Sequence, residues 1–270
     1  MFSAIKAAWR ESGKDNLGII AAGISYYALL AMVPLFAVAA LTYGLVADPA
    51  MVAKHVTLLS QNLPESAAEL ISEQIRGVSE SQSATKGLGL LIALAVSLFG
   101  ARNGAGAIIT GLNIVFHARE SRSLVRGFLF AIGLTIGGII ALALVAGSIA
   151  VTSTLAGLWG KLAGYALVAL AGFGAAALLY RFGPNKITPS WSAIWPGAAL
   201  FSIGWMLATL AFGIYVANFS DYNATYGSLG AVVILVTWFY LSSWLLLFGA
   251  ETTSQIDETQ NGAEINFTDS

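Results

Sequence analysis

The chain has 270 residues, of which 57% are hydrophobic and only 10% are charged, whereas a soluble globular domain carries about 25% charged residues. A formal net charge of −1 gives no indication of the concentrated basic face that nucleic-acid binding needs. Cysteine is absent, and the two histidines, His55 and His117, lie far apart in the sequence. No metal centre and no cofactor are therefore predicted, and the composition indicates a polytopic membrane protein.

The first segment, residues 1–14, predicts a short helix lying in the membrane interface. Its apolar face is formed by Phe2, Ile5, Ala8 and Trp9, with basic residues beside it. A frayed tail is the alternative. The segment lacks the continuous apolar core and the cleavage site of a signal peptide.

Six apolar stretches are long enough for a membrane helix, which needs about 20 residues. These predicted spans cover residues 17–46, 87–116, 126–152, 161–181, 194–217 and 227–251. The fold class is therefore all-α, with a six-helix membrane domain over residues 15–252. Its one long connection, residues 48–86, predicts an amphipathic helix on the outer side, because apolar residues recur along one face. Residues 253–270 are acidic and without a basic residue, which predicts a disordered tail.

The orientation follows from the lysine and arginine residues of the loops, which are enriched on the cytoplasmic side. With the N-terminus inside, the inner segments hold Lys6, Arg10, Lys14, Arg119, Arg122, Arg126, Arg181 and Lys186. The outer segments hold Lys54, Arg76, Lys86 and Lys161. This asymmetry predicts that both termini are cytoplasmic.

Arg102 lies within the second predicted span, in the stretch GLLIALAVSLFGARNGAGAIITGLNIVF. About 20 residues from the outer end bring this span to the inner interface, and Arg102 lies close enough for a snorkelling side chain to reach water. The alternative is that Arg102 faces the bundle interior and pairs with the carboxylate of Asp15 or Glu251. Arg102 is the first candidate functional residue under both interpretations.

The first predicted span carries a proline and two tyrosines. Pro34 is expected to kink the helix, because it removes one backbone hydrogen bond. Tyr26 and Tyr27 precede it and place hydroxyl groups in the span. A kinked helix with hydroxyl groups suits a substrate path, and a purely structural kink is the alternative.

Small residues recur at helix-packing distance in several spans. The Gly-xxx-Gly pairs are Gly100/Gly104, Gly133/Gly137 and Gly160/Gly164. Such pairs let helix backbones approach closely, which favours packing within the bundle. A homo-oligomer formed through these faces is the alternative.

The outer end of the sixth predicted span begins with Tyr226, Gly227 and Ser228. The positive end of a helix binds anions, so these residues are a candidate contact for an anion or a lipid phosphate. The alternative is that neighbouring hydroxyl and amide side chains cap the helix.

Three stretches resemble motifs of a known family. They are DNLGIIAAGISYYALLAMVPL, YRFGPNKITPSWSAIWPGAAL and YVANFSDYNATYGSLGAVVILVTWFYLSSWLLLFGAE. They are similar to the YihY/virulence factor BrkB family of bacterial inner-membrane proteins, formerly labelled ribonuclease BN. The resemblance implies six membrane helices in the inner membrane. Arg102, Asn113 and Glu251 fit its pattern, although this chain has Arg102-Asn103-Gly104 where the family often has Arg-Gly. It implies no settled activity, because members carry ribonuclease, serum-resistance and transporter labels.

The first functional hypothesis is a transporter of a small solute or a lipid, with a polar path between the first, second, fifth and sixth spans. The residues expected to line or gate this path are Asp15, Tyr26, Tyr27, Pro34, Arg102, Asn113 and Glu251. The alternative is a lipid-handling or scaffolding protein without transport activity, and membrane lipid is the expected partner in both cases. An enzyme ranks last, because no nucleophile lies beside a base. A groove open to the bilayer favours a lipid, whereas a closed polar cavity favours a solute.

Overall fold

The computed structural model describes residues 1–46, 83–122, 127–129, 133, 158–217 and 228–268. The helices with assigned bounds are α1 (Phe2–Lys14), α2 (Leu17–Val46), α3 (Ser83–Val115), α4 (Leu158–Phe182), α5 (Trp191–Ala217) and α6 (Ser228–Thr268). No strand occurs within these ranges. The all-helical prediction is thus confirmed for the described part of the chain.

Helices α4, α5 and α6 contain stretches long and apolar enough to cross a membrane. These stretches are Leu162–Phe182, Trp191–Val216 and Val232–Asn261. A fourth candidate arises if α1 and the start of α2, which meet at 72°, are counted as one bent span. The bend lies at Asn16, whose φ of 55° is left-handed, a conformation that asparagine tolerates better than most residues.

Several predicted features lie outside the described residues. They are the third span (126–152) except for a few helical positions near its start, most of the 48–86 connection, and Tyr226 and Gly227. The side chains of Pro34 and Ser228 are outside the description as well. The other spans have helical counterparts, and α3 begins at Ser83 rather than at residue 87.

The outer surface of α5 is apolar. Ile203, Leu207 and Leu210 follow one another at helical spacing, and each is more than half exposed. A soluble monomer rarely exposes such a row of large apolar side chains. Since α5 is apolar on all sides, the exposed row is the surface expected to contact lipid tails.

The buried core lies at the end of the bundle that holds α1, which we call the α1 end. The buried apolar residues of the core are Leu17, Ala21, Ile24, Leu112, Val115, Phe116, Ala176, Ala177, Tyr180, Ile194, Ala198, Leu247 and Ala250. They come from the first turns of α2 and α5, the last turns of α3 and α4, and the middle of α6. Helix α1 covers this core, with the Trp9 ring 5.8 Å from that of Trp244 and 6.0 Å from that of Phe248.

The segment after Glu251 differs from the predicted disordered tail, because α6 continues without a break to Thr268. The physical reason is an interaction that composition does not reveal. The backbone N–H of Ser190, at the start of α5, donates to Asp257 Oδ1 at 2.8 Å. The Ser190 and Ser192 hydroxyls donate to Gln260 Oε1 at 3.0 and 2.9 Å. An acidic side chain is stabilised at the positive end of a helix, so the extension of α6 packs against α5.

Replacing Asp257 by alanine is expected to lower the free energy of unfolding by about 1 kcal/mol, as loss of a helix cap does. The reason is that the Ser190 N–H loses its acceptor. Thermal unfolding in detergent measures the effect. Glu258→Ala, at the exposed neighbouring position, is the matched control and should leave the midpoint unchanged. Equal unfolding midpoints for the two variants would contradict the capping of α5 by Asp257.

Candidate functional site

An open cleft of about 600 Å³ lies between α2 and α3. Its lining residues are Ile20, Gly23, Tyr27, Arg102, Asn103, Gly106, Ala107, Ile109, Thr110, Glu120, Arg122, Gly127 and Phe128. Helix α2 supplies one wall and the second half of α3 the other. The segment that follows α3 closes one side. The cleft therefore combines apolar walls with a small number of polar groups, as small-molecule sites do.

Arg102 is the cationic group that α3 contributes to the cleft. Its side chain is exposed, and its guanidinium lies over the Phe128 ring at 5.5 Å from the ring centroid. The pairing that the sequence left open, with Asp15 or Glu251, is not formed: the ion pairs between described residues are Lys14–Glu11 and Arg122–Glu120. Arg102 instead presents its charge to the open cleft.

Tyr27 and Tyr26 lie on different sides of α2. Tyr27 lines the cleft, whereas Tyr26 is 56% exposed and is not part of the lining. Their rings touch edge to face, 5.5 Å apart. The hydroxyl of the neighbouring Ser25 donates to the Ala22 carbonyl at 2.8 Å, so its hydrogen bond stays within the helix. Of these polar groups, only Tyr27 reaches the cleft.

Asn113 does not line the cleft but holds the segment that does. Its side-chain N–H donates to Glu120 Oε2 at 2.7 Å, and its Oδ1 accepts the backbone N–H of Asn185 at 2.8 Å. The Glu120 carboxylate also accepts the Arg122 backbone N–H at 2.9 Å. Asn113, which is only 6% exposed, thus connects the end of α3 to the loop between α4 and α5.

The loop between α4 and α5 contributes the other half of this network. The Asn185 side chain donates to the Arg119 carbonyl at 2.7 Å and to the Ser121 hydroxyl at 2.9 Å. Arg122 Nη2 donates to the Gly183 carbonyl at 2.9 Å. Because buried amide groups must be hydrogen-bonded to be tolerated, these bonds determine the path of residues 116–122. They thereby position Glu120 and Arg122 at the cleft.

Asp15 and Glu251 lie away from the cleft lining, where α1 meets α6. Glu251 is completely buried, and its Oε1 accepts the Gln255 side-chain N–H at 3.2 Å. Burial raises the pKa of the Asp15 carboxyl above its usual value, while the charge of His117 lowers it. The seven residues predicted for one path are therefore not gathered in one cavity. The structure places Tyr27 and Arg102 in the cleft, Asn113 beneath it, and Asp15 and Glu251 at a second location.

The cleft includes residues that the sequence did not single out, namely Asn103, Thr110, Glu120, Arg122 and Phe128. A local signal existed for Asn103, which is the next residue after Arg102, and for Thr110, which lies about two helical turns further along the same helix. Glu120 and Arg122 appear in the sequence as ordinary loop charges. Their role depends on the fold of that loop over α3, which no local pattern specifies.

Comparison with known proteins gives a consistent assignment. The family model described as virulence factor BrkB matches residues 8–268. The ribonuclease-like protein YfkH of Bacillus subtilis is 32% identical over 214 residues, which cover 72% of this chain and 74% of that protein. A UPF0761 membrane protein of Aeromonas salmonicida is 29% identical over 270 residues, which cover 93% of this chain and 87% of that protein. No solved structure matches the chain. Because the family model spans nearly all of the sequence, the resemblance seen in its motifs is confirmed, and this chain belongs to the virulence factor BrkB family of membrane proteins.

Proposed function

We propose that this protein binds an anionic lipid in the cleft between α2 and α3 and transports it across the bacterial inner membrane. The observation that carries the proposal is Arg102, a cation that forms no ion pair with a carboxylate among the described residues and that lines an open cleft with largely apolar walls. We infer a six-span topology with both termini in the cytoplasm. The excess of basic residues in the inner segments supports this topology.

The chemistry of Arg102 favours an anionic ligand. A guanidinium presents a rigid fork of N–H donors that matches the oxygens of a phosphate or a carboxylate. Ionisable groups within membrane segments are costly and are usually associated with ligands, partners or water-filled cavities. The Phe128 ring beneath the guanidinium, at 5.5 Å, holds the cation without neutralising it. A lipid headgroup would supply the missing negative charge.

The walls of the cleft favour a lipid over a small solute. Ile20, Ala107 and Ile109 line it together with Phe128, and these side chains suit an acyl chain. A site for a polar solute is expected to be enclosed and to satisfy the solute with hydrogen bonds on all sides. This cleft is open, and no described residue of α5 or α6 lines it. The proposed path therefore runs along α2 and α3, rather than between the first, second, fifth and sixth spans.

The test is lipid retention by Arg102→Gln. The protein is taken from micelles that contain equal amounts of phosphatidylglycerol and phosphatidylcholine, and native mass spectrometry would show which lipid stays bound to it. The wild type should prefer phosphatidylglycerol. In the variant the ratio of retained phosphatidylglycerol to phosphatidylcholine should fall about tenfold, as expected for the loss of one charge-assisted contact worth ~1.5 kcal/mol.

Arg119→Gln is the matched control for this experiment. Arg119 is an exposed arginine after α3 that does not line the cleft, and its replacement removes the same net charge. This variant should keep the preference of the wild type. If Arg102→Gln retained phosphatidylglycerol as well as Arg119→Gln does, the lipid proposal would be rejected.

The second candidate function is lipid handling or scaffolding without transport, which the open cleft also suits. The two candidates differ in translocation. Purified protein in liposomes should move a fluorescent phosphatidylglycerol between leaflets if it is a transporter, and Arg102→Gln should abolish the movement. Retention of lipid without translocation would favour the second candidate.

We do not assign ribonuclease chemistry to this chain. The ribonuclease-like name belongs to the relative from Bacillus subtilis. The sequence has no cysteine and two histidines, and no group of three metal-binding side chains occurs in the ranges that the structure describes. The composition offers no basic groove for RNA. The proposal is therefore a protein without enzymatic activity.

A further inference from the structure

Two carboxyl groups that form no ion pair with a described residue lie where α1 packs against α6. Glu251 is 0% exposed, and its Oε2 atom is buried without a hydrogen-bond partner. Asp15 ends α1, and its Oδ2 atom is buried without a partner as well. The charge of Asp15 acts directly on Glu251. Neither carboxyl takes part in the ion pairs formed among the described residues.

The surroundings of this pair provide little positive charge. The charged and titratable groups that act on it are Glu11, Lys14, His117 and Glu258. Lys14 is already paired with Glu11 at 2.7 Å. Helices α2 and α5, which pack against α6, contain no Asp, Glu, Lys, Arg or His. From α4, the Tyr180 hydroxyl donates to the Leu246 carbonyl at 2.7 Å. Glu251 is therefore surrounded by neutral or acidic groups, and the positive charge that acts most on the pair is that of His117 on Asp15.

A buried carboxylate without a cationic partner is strongly disfavoured, and it becomes neutral by taking up a proton. A second carboxylate nearby increases the preference for the neutral form, because two like charges repel strongly where water is excluded. We propose that Asp15 and Glu251 form a proton-binding site that retains one proton at neutral pH. The two carboxyls then titrate as a coupled pair.

The pKa of the Asp15 carboxyl supports this site. Burial raises this pKa above the usual value by more than the charge of His117 lowers it, and the neighbouring Glu11 raises it further. A carboxyl with a raised pKa binds more protons in the folded than in the unfolded state. Folding stability therefore falls as the pH rises through and above the usual carboxyl range. Asp15→Asn should flatten this part of the stability profile, which thermal unfolding at several pH values would measure.

The location gives the proton a structural consequence. Asp15 directly precedes Asn16, the left-handed residue at the 72° bend between α1 and α2. Loss of the proton places a second negative charge at the contact between this bend and α6. The repulsion is expected to weaken the packing of α1 on α6.

Infrared spectroscopy of the protein in nanodiscs tests the site directly. The wild type should show the C=O stretch of a protonated, buried carboxyl at neutral pH, and the band should disappear as the pH is raised. Glu251→Gln should lack this band. In Asp15→Asn the band should disappear at lower pH than in the wild type, because the neighbouring charge is gone.

Glu258→Gln, on the exposed side of the same helix, removes the smallest of the charge effects on Glu251. It is the control and should keep the band of the wild type at neutral pH. Absence of the band in the wild type at neutral pH would overturn the proposal without recourse to any variant. The proposal would also be overturned if the band of Asp15→Asn disappeared at the same pH as that of the wild type. It would equally be overturned if sodium ions removed the band at constant pH, because the site would then bind a metal cation in place of the proton. The spectrum does not depend on lipid binding in the cleft, so this proposal and the proposed function can fail independently.

Discussion

Replacing Gly249 by alanine is expected to lower the free energy of unfolding by about 2 kcal/mol, within the range for overpacked cores. Gly249 lies where α6 crosses α5. A methyl group there would lie 2.8 Å from the Gly197 carbonyl oxygen and 3.0 Å from Phe201 Cβ, and it would overlap the Tyr180 hydroxyl. Tyr180 is completely buried and donates to the Leu246 carbonyl, so the hydroxyl cannot move without losing that bond.

The sign of this prediction is informative, because a helix interior normally gains about 0.5–1 kcal/mol when glycine becomes alanine. Gly213→Ala is the matched control. Gly213 lies within α5 and has no atom within 4 Å of the added methyl group, so this variant should be as stable as the wild type or more stable. Unfolding in detergent with an increasing fraction of sodium dodecyl sulfate would measure both. A stabilised Gly249→Ala would show that the helices do not cross at this residue.

Replacing Asn113 by aspartate is expected to destabilise the fold by about 2 kcal/mol at neutral pH, because a buried donor is lost and a charge is gained. The new carboxylate would face Glu120 Oε2, which now accepts the Asn113 N–H at 2.7 Å. The Asn185 backbone N–H, at 2.8 Å from Oδ1, would keep its acceptor. The damage should therefore be confined to the Glu120 side, and the loop that carries Arg122 should loosen from the cleft.

Two comparisons separate this effect from a general intolerance of charge. The double variant Asn113→Asp/Glu120→Gln restores a donor opposite the carboxylate and should recover most of the lost stability, as a double-mutant cycle would show. Asn103→Asp, on the same helix but outside this network, should stay within about 0.5 kcal/mol of the wild type. Lowering the pH should also restore Asn113→Asp, since a protonated carboxyl donates to Glu120. A double variant no more stable than the single one would refute the proposed contact.

The sequence by itself determined that this is an all-helical membrane protein, and it located α2, α4 and α5 to within three residues. It also identified the family, through contiguous motifs. These properties are local, because a membrane helix is specified by a run of about 20 apolar residues. Arg102 could be selected for the same reason, since a charge within an apolar run is conspicuous in any context.

The tertiary structure alone decided which of the selected residues act together. Helices that are apolar on all sides carry no pattern that tells which face meets which neighbour. The hydrogen bond between Asn113 and Asn185, the close approach of Gly249 to Gly197 and the electrostatic interaction of Asp15 with Glu251 join residues distant in the sequence. The helical extension after Glu251 depends in the same way on the distant Ser190, whose backbone N–H donates to the Asp257 carboxylate. The cleft beside Arg102 exists because a loop held by such contacts closes one side of it.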